Sequence, residues 1–252
     1  MKRLFDNVRS TLLWIIAIPV FFVCCVLIML GALVYRGPKL EPIIKGSCRI
    51  ILFFCGIRVR VRGRENFDPG RQYILMMNHV NFFDPFVFYA GFPGRARGIE
   101  EQKHFKWPVY GQVITRIGQI PIDRKNSRKA RESLNRAAAL IRARRDFSFL
   151  VLPEGTRTRD GRLGPFKRGG FVLAIESGLD ILPLVQLGAF RINRKGSRLI
   201  RPGRVDYIIE APVSTAGFAK EHHDDLVNQV RARFLNHLEE RPISIESTSP
   251  PA

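Results

Sequence analysis

The chain's longest apolar run lies near its start. From Thr11 to Tyr35 the segment TLLWIIAIPVFFVCCVLIMLGALVY carries no charge. A helix needs roughly 20 apolar residues to cross the hydrocarbon core of a bilayer, so the run is long enough to span with some tilt. Pro19 would kink it, which membrane helices tolerate. Lys2, Arg3 and Arg9 come first, as in a signal peptide. The apolar stretch is longer than a typical signal core, however, and no small-x-small cleavage site leads into a polar start, so a retained anchor is expected. A second patch, IILFFCGI over 50–57, is too short to span alone. With Pro42 to Gly46 ahead of it, it would complete a second helix packed on the first or lying in the interface. A crossing helix and a re-entrant hairpin both fit, and the basic residues at the start favour the hairpin.

After Arg58 short apolar runs alternate with helical spacing. Ile57 to Val61 alternates strictly and reads as a strand, as does Tyr73 to Met77 before Asn78-His79. Asp84-Pro85 offers a helix cap and a proline at the first helical position, opening a helix over Phe86 to Ala90. Ala130, Leu134, Ala137, Ala138 and Ile141 recur at helical spacing within 127–145. FSFLVL (147–152) is a buried strand ending at Pro153-Glu154-Gly155. A helix follows over 171–176, then strands over 181–187 and 205–209. Pro183 marks 181–187 as an edge strand. Leu226, Val227, Val230, Phe234 and Leu238 make an amphipathic last helix, and the tail SIESTSPPA predicts disorder. The reading is an α/β domain, a mixed sheet flanked by helices, with an N-terminal helical membrane anchor. It divides into a membrane-binding segment (1–57), a folded domain (58–241) and a tail (242–252).

Composition adds a charge signal. Lys plus Arg number 41 against 22 acids, a formal charge of +19. Such a surface seeks polyanions: anionic lipid headgroups, phosphorylated substrates, acidic carriers or nucleic acid. Basic residues crowd the end of the anchor (Arg36, Lys39, Lys45, Arg49, Arg58, Arg60, Arg62, Arg64), so the following domain should stay cytoplasmic, at the inner membrane. Cys24, Cys25, Cys48 and Cys55 lie in or beside apolar runs without zinc spacing and read as reduced filler facing a reducing compartment.

Four blocks carry candidate chemistry. His79 and Asp84 form His-x4-Asp; in an ideal helix five residues would separate the side chains by about 140°, so they meet only if the chain turns between them. Alone, the pair is more simply a structural histidine and a capping aspartate. Gly118-Gln119-Ile120-Pro121-Ile122-Asp123-Arg124 ends an apolar stretch in a charged pair, which could be a surface ion pair. Pro153-Glu154-Gly155-Thr156-Arg157 directly follows a buried strand, where loops open clefts. Ile181-Leu182-Pro183-Leu184 sets proline inside an apolar run.

In order and spacing these blocks resemble the glycerolipid acyltransferase family, particularly its 1-acylglycerol-3-phosphate acyltransferase branch. Asn78-His79 through Asp84 is similar to its catalytic Asn-His-x4-Asp block, Gly118 to Arg124 to its Gly-x-Ile-x-Ile-Asp-Arg block, and Pro153 to Arg157 to its Pro-Glu-Gly-Thr-Arg block. Pro183 falls where the family has its apolar-proline block, and Lys103 where members often carry a basic acceptor-site residue. The likeness covers about Arg58 to Ala211. Asn81, where Ser or Thr is frequent, and Leu152, where Phe is frequent, depart from the pattern and bear on substrate preference.

The resemblance implies transfer of a fatty acyl chain from acyl-CoA or acyl carrier protein to the sn-2 hydroxyl of lysophosphatidic acid. An alcohol needs a base near neutral pH. His79 is the candidate, held in tautomer and orientation by Asp84. The chain has no Gly-x-Ser-x-Gly elbow, in keeping with direct attack by the acceptor. Arg124, Arg157 and Lys103 are the expected phosphate ligands, because guanidinium forks phosphate bidentately. Glu154 is expected to order those arginines or an acceptor hydroxyl, and N–H groups of Gly155 and Thr156 to face the oxyanion. No metal and no bound cofactor are expected, since His104, His222, His223 and His237 lack ligand grouping. Expected partners are lysophosphatidic acid, the thioester donor and anionic membrane lipid, with no nucleic acid. Other acceptors (a lyso-ornithine lipid, another lysophospholipid, glycerol 3-phosphate) suit the same blocks. A non-catalytic anionic-lipid-binding protein would explain the charge and the anchor but not the placement of the blocks.

Overall fold

A computed structural model describes residues 2–35, 37–123, 127–144, 146–219 and 223–239. Two helices come first, α1 (Lys2–Val34) and α2 (Glu41–Phe54), then β1 (Ile57–Arg62) and β2 (Ile74–Met77). The middle of the chain holds α3 (Asp84–Gly91), β3 (Ala96–Glu101), α4 (Tyr110–Arg116), β4 (Ile120–Ile122), α5 (Ser127–Ala143) and β5 (Ser148–Val151). The chain continues through α6 (Gly169–Ser177), β6 (Ile181–Leu187), α7 (Ala189–Ile192), β7 (Gly203–Ile209) and α8 (Asp224–Glu239).

The strands form one seven-stranded sheet in the order β1-β7-β6-β2-β5-β3-β4. From β6 to β4 all neighbours are parallel, whereas β7 is antiparallel to β6 and parallel to β1. The carboxyl ends of β6, β2, β5, β3 and β4 therefore share one edge, where ligands of open α/β sheets bind. Helices cover both faces, which is why β2 is apolar throughout rather than alternating. Its Ile74 and Met76 pack with Phe171, Leu226, Val230 and Phe234 of α6 and α8. Its Leu75 and Met77 point the other way, into a core that includes Cys48 and Leu52 of α2 and Val87 and Phe88 of α3.

That second core runs on into α1 through Ala17, Cys25, Ile28 and Ala32. The face of α1 that meets the protein is built of small residues, and backbone approach is close at Gly31. A Cβ there would come within 2.6 Å of Ile43 Cδ1, the packing that small residues allow between membrane helices. The other face carries Leu12, Ile15, Phe22, Val26, Leu30 and Leu33, all exposed. The first turns of α1 also bond to the sheet-bearing part of the chain: Trp14 Nε1 donates to the Arg198 carbonyl at 2.6 Å, and Ser10 Oγ accepts from Ile200 N–H at 2.8 Å. Asp6 pairs with Arg201 at 3.4 Å. Helix α1 thus lies along the domain. Leu4–Val34 is the segment long and apolar enough to cross a membrane among the described residues, with 22% of its apolar window buried. The four cysteines are free and buried.

Two details differ from the sequence reading. Strand β6 is not an edge strand, for it lies between β2 and β7. Pro183 is tolerated because its carbonyl accepts from Glu210 N–H at 3.0 Å just past the β7 ladder. The next pairing, Ile181 with Val213, comes after one extra residue on the partner side, so the missing N–H falls at a bulge. Asp84 does not cap α3: Phe83 holds the cap position, and Asp84 begins the helix with its carboxylate turned back. The tail from 240 onward lies outside the described residues.

Candidate active site

The chain turns sharply between the end of β2 and the start of α3, and Asp84 organises that turn. Its Oδ2 accepts from Val80 N–H at 2.7 Å and its Oδ1 from Asn81 N–H at 3.0 Å. The Asn81 side chain accepts from Phe83 N–H at 2.7 Å and donates to the Ala189 carbonyl at 2.7 Å, pinning the loop to α7. With the turn closed, His79 Nδ1 meets Asp84 Oδ2 at 2.7 Å. Asp84 is fully buried at 0% exposure, and an ionised carboxylate there accepts from Nδ1–H, the neutral tautomer that leaves the lone pair on Nε2. The His79 side chain remains 14% exposed. A basic nitrogen held this way can take a proton from a hydroxyl.

A residue the motifs do not include completes the arrangement. Gln186, in β6, donates from Nε2 to Asp84 Oδ1 and to the Asn78 carbonyl, each at 2.8 Å. Its backbone exchanges two bonds with the Asn78 side chain, at 2.8 and 3.1 Å. The signal for it in the sequence is slight: a lone amide in the otherwise apolar strand ILPLVQL, 102 residues from Asp84.

The loop after β5 holds the His79–Asp84 turn from the other side. Glu154, buried, accepts from His79 N–H at 2.7 Å with Oε1 and from Gly164 N–H at 2.9 Å with Oε2. Thr158 N–H donates to the His79 carbonyl at 2.9 Å. Glu154 therefore fixes the backbone of His79. Burial raises its pKa above the ordinary value, against the two backbone bonds and the nearby His79, which lower it. Gly155 (φ +66) donates its N–H to the Leu152 carbonyl at 3.0 Å, closing a turn. That N–H, expected from the sequence to face an oxyanion, is thus engaged within the turn. Thr156 is exposed, and its hydroxyl accepts from Lys195 Nζ at 2.7 Å. The same ammonium reaches the Arg157 carbonyl at 3.3 Å. Arg157 is half-buried, and Lys167 packs over Gly155 where a Cβ would otherwise sit. Lys195 joins this basic group from the loop after α7, and no motif singled it out.

Lys103 follows the carboxyl end of β3, at the same sheet edge, where it is mostly exposed and pairs with Glu101 at 2.8 Å. Asp123 follows the end of β4 at that edge, and Arg124 lies outside the described residues. The mouth is rimmed by aromatic groups: exposed Phe82 on the His79–Asp84 turn lies 6.1 Å, ring to ring, from Trp14 of α1, and Trp107 is exposed beyond Lys103. Among the described residues no group of three or more His, Cys, Asp and Glu side chains is placed to hold a metal.

A family model described as Acyltransferase matches residues 58–186. A 1-acyl-sn-glycerol-3-phosphate acyltransferase of Limnanthes douglasii is 30% identical over 189 residues, 75% of this chain and 66% of that protein. The corresponding protein of Cocos nucifera is 29% identical over 192 residues, and there the chain spans 61% of its length, so both plant relatives are covered over just under two thirds. The alpha protein of that name from Homo sapiens is 30% identical over 241 residues, covering 95% of this chain and 81% of its own. In fold, the chain is similar to the crystal structure of the 1-acyl-sn-glycerophosphate (LPA) acyltransferase PlsC from Thermotoga maritima. The TM-score is 0.76 at 22% identity, over 96% of this chain and 100% of that one.

Proposed function

The chain belongs to the acyltransferase family, in the group of the 1-acyl-sn-glycerol-3-phosphate acyltransferases, and from that we propose that it acylates the sn-2 hydroxyl of lysophosphatidic acid to give phosphatidic acid. The observation that carries the proposal is the His79–Asp84 pair, with Nδ1 held on a buried carboxylate at the carboxyl end of β2, the sheet edge where ligands of such folds bind.

In this mechanism the acceptor hydroxyl lies against His79 Nε2, which removes its proton as the oxygen attacks the thioester carbonyl. Asp84 stabilises the imidazolium without itself taking the proton. The tetrahedral intermediate collapses with cleavage of the carbon–sulfur bond, and Nε2 returns the proton to the departing thiolate. One ester C–O bond forms and one thioester C–S bond breaks, with no acyl-enzyme. Positioning the hydroxyl supplies much of the acceleration and proton transfer roughly 10²–10⁴-fold. Arg157, with Arg124, Lys103 and Lys195, supplies cationic partners for the acceptor's phosphate. Thr156 N–H is the backbone group left to the oxyanion in this reading.

The membrane enters through α1. Its exposed apolar face, continued by Phe53 and Phe54 of α2, seats the protein in the lipid that holds the acceptor. The bonds from Asp6, Ser10 and Trp14 to 198–201 keep α1 beside the domain, which favours a protein embedded in one leaflet, on the cytoplasmic side, over one that crosses.

The test is acyl transfer by detergent-purified protein given lysophosphatidic acid with acyl-CoA and, separately, acyl carrier protein. Phosphatidic acid acylated at sn-2 is expected. Faster acylation of a lysolipid without a terminal phosphomonoester, under the same conditions, would overturn the acceptor assignment.

A further inference from the structure

Beside the catalytic turn lies a cleft of about 930 Å³ that the mechanism above does not use. Asn78 and Val80, the two neighbours of His79, form part of its wall, with Gln186 to Ala189 at the end of β6. The rest comes from the loop after Arg157, from α7, from 201–202 and the start of β7, and from α8. Its volume is that of a small-ligand site, commonly about 300–1,000 Å³.

The charge on its wall is one-sided. Arg162, Arg191, Arg201, Arg204 and Arg231 line it, against Asp160 and Asp206. Both aspartates are already engaged by the protein. Asp206 pairs with Arg204 at 3.3 Å and Arg62 at 3.7 Å, and among the arginines Arg201 also pairs with Asp6 at 3.4 Å. Asp160 accepts from the Thr158 hydroxyl and from Arg162 N–H, both at 3.0 Å. Arg231 is fixed by the Gly164 and Leu163 carbonyls at 2.6 and 3.3 Å, partners that hold the guanidinium without neutralising it. The cleft also has an aromatic ring in its wall. Phe190 lines it half-buried, with the Arg194 guanidinium 5.1 Å from its ring centre.

Several arginines and an aromatic ring lining one concavity of nucleotide size match a purine nucleotide bearing several phosphates. We infer that this cleft holds the 3′-phospho-ADP end of a coenzyme A thioester, and that the pantetheine arm passes the catalytic turn to bring the acyl carbonyl to His79. The inference rests on the acyltransferase reading for the identity of the donor. A folded acidic carrier would press a convex surface on exposed cations, whereas here the charge lines a hollow and Arg231 is anchored within it.

The experiment pairs a binding measurement with a kinetic one on the full chain in detergent. The variant is Arg162→Gln with Arg191→Gln, both at exposed positions, and thermal unfolding verifies its fold. Adenosine 3′,5′-bisphosphate should bind the wild type and compete with acyl-CoA, and the double substitution should raise its Kd about ten- to a hundredfold. The preference for acyl-CoA over the acyl-pantetheine thioester, which lacks the nucleotide, should fall by the same factor. Equal nucleotide affinity in variant and wild type would overturn the site. So would loss of transfer from acyl carrier protein with transfer from coenzyme A intact, which would make the arginines a carrier-docking surface. Arginine-dependent nucleotide binding by a wild type that acylates no lysolipid would sink the acyltransferase reading while the site stands. Rapid transfer from acyl-CoA without nucleotide binding would do the reverse.

Discussion

Asp84 accepts four hydrogen bonds, from His79 Nδ1, two backbone N–H groups and Gln186. Asp84→Asn keeps the size of the side chain but can present an NH₂ to Nδ1 and reverse the tautomer. Turnover is expected to fall about 10²–10⁴-fold with the fold retained, read from kcat beside far-UV circular dichroism. Gln186→Leu leaves one carboxylate oxygen short of a donor. It should lower kcat roughly tenfold with KM for the acceptor little changed and cost about 1–3 kcal/mol of stability; an unchanged kcat would remove Gln186 from the positioning set. Glu154 carries a pH prediction. Its folded pKa lies above the ordinary glutamate value, so the stability it adds is full below that ordinary value and is lost as pH rises through the raised one. Glu154→Gln has no such loss, and its deficit in melting temperature against wild type should be largest at low pH and shrink as pH rises across that window. His79, Asp84 and Glu154 were legible from block order alone. The targets of Glu154 were not, because its partners are backbone N–H groups of a turn and a distant loop. Gln186 was hidden because its place beside Asp84 is set by β2–β6 pairing, which local spacing does not encode.

Among the elements, those with a clean period were readable and those shaped by tertiary contacts were not. Strands β1, β2, β5 and β7 and helices α5 and α8 follow their apolar patterns. Strand β3, ARGIEE, looks polar, yet it is placed by pairing with β5 and by Gln119, whose side chain accepts from Gly98 N–H. Pro183 misled because proline usually excludes a central strand, and the bulge that accommodates it depends on residues 210–213. One buried tie joins the anchor hairpin to the sheet: Arg97 of β3 pairs with Glu41 of α2 at 3.0 Å, with both side chains largely buried. Removing one partner strands a charge, so Glu41→Leu or Arg97→Met alone should cost about 3–5 kcal/mol, with the double variant recovering most of the loss. Chemical denaturation in detergent measures the cycle, and additive losses would show the two side chains to be uncoupled.

At the scale of the whole molecule, an apolar helix and a sheet edge are held in one body, so in the proposed function the lipid that supplies the acceptor and the base that activates it lie together. The sequence showed an apolar run of spanning length. It did not show that Asp6, Ser10 and Trp14 bind 198–201, because those contacts close over about 190 residues. If α1 lies along the domain, a cysteine placed at Asp6 and another at Arg64 should react with an impermeant maleimide from the same side of sealed vesicles, the four native cysteines being buried. Labelling from opposite sides would show a crossing helix. The central claim is that His79 is the base of an acyl transfer to lysophosphatidic acid. The measurement that tests it most directly is the single-turnover rate of phosphatidic acid formation by wild type and His79→Ala at saturating acceptor and donor. A loss of about 10³-fold or more in the variant, with acceptor binding retained, is the predicted result. Equal rates in the two proteins would contradict the account.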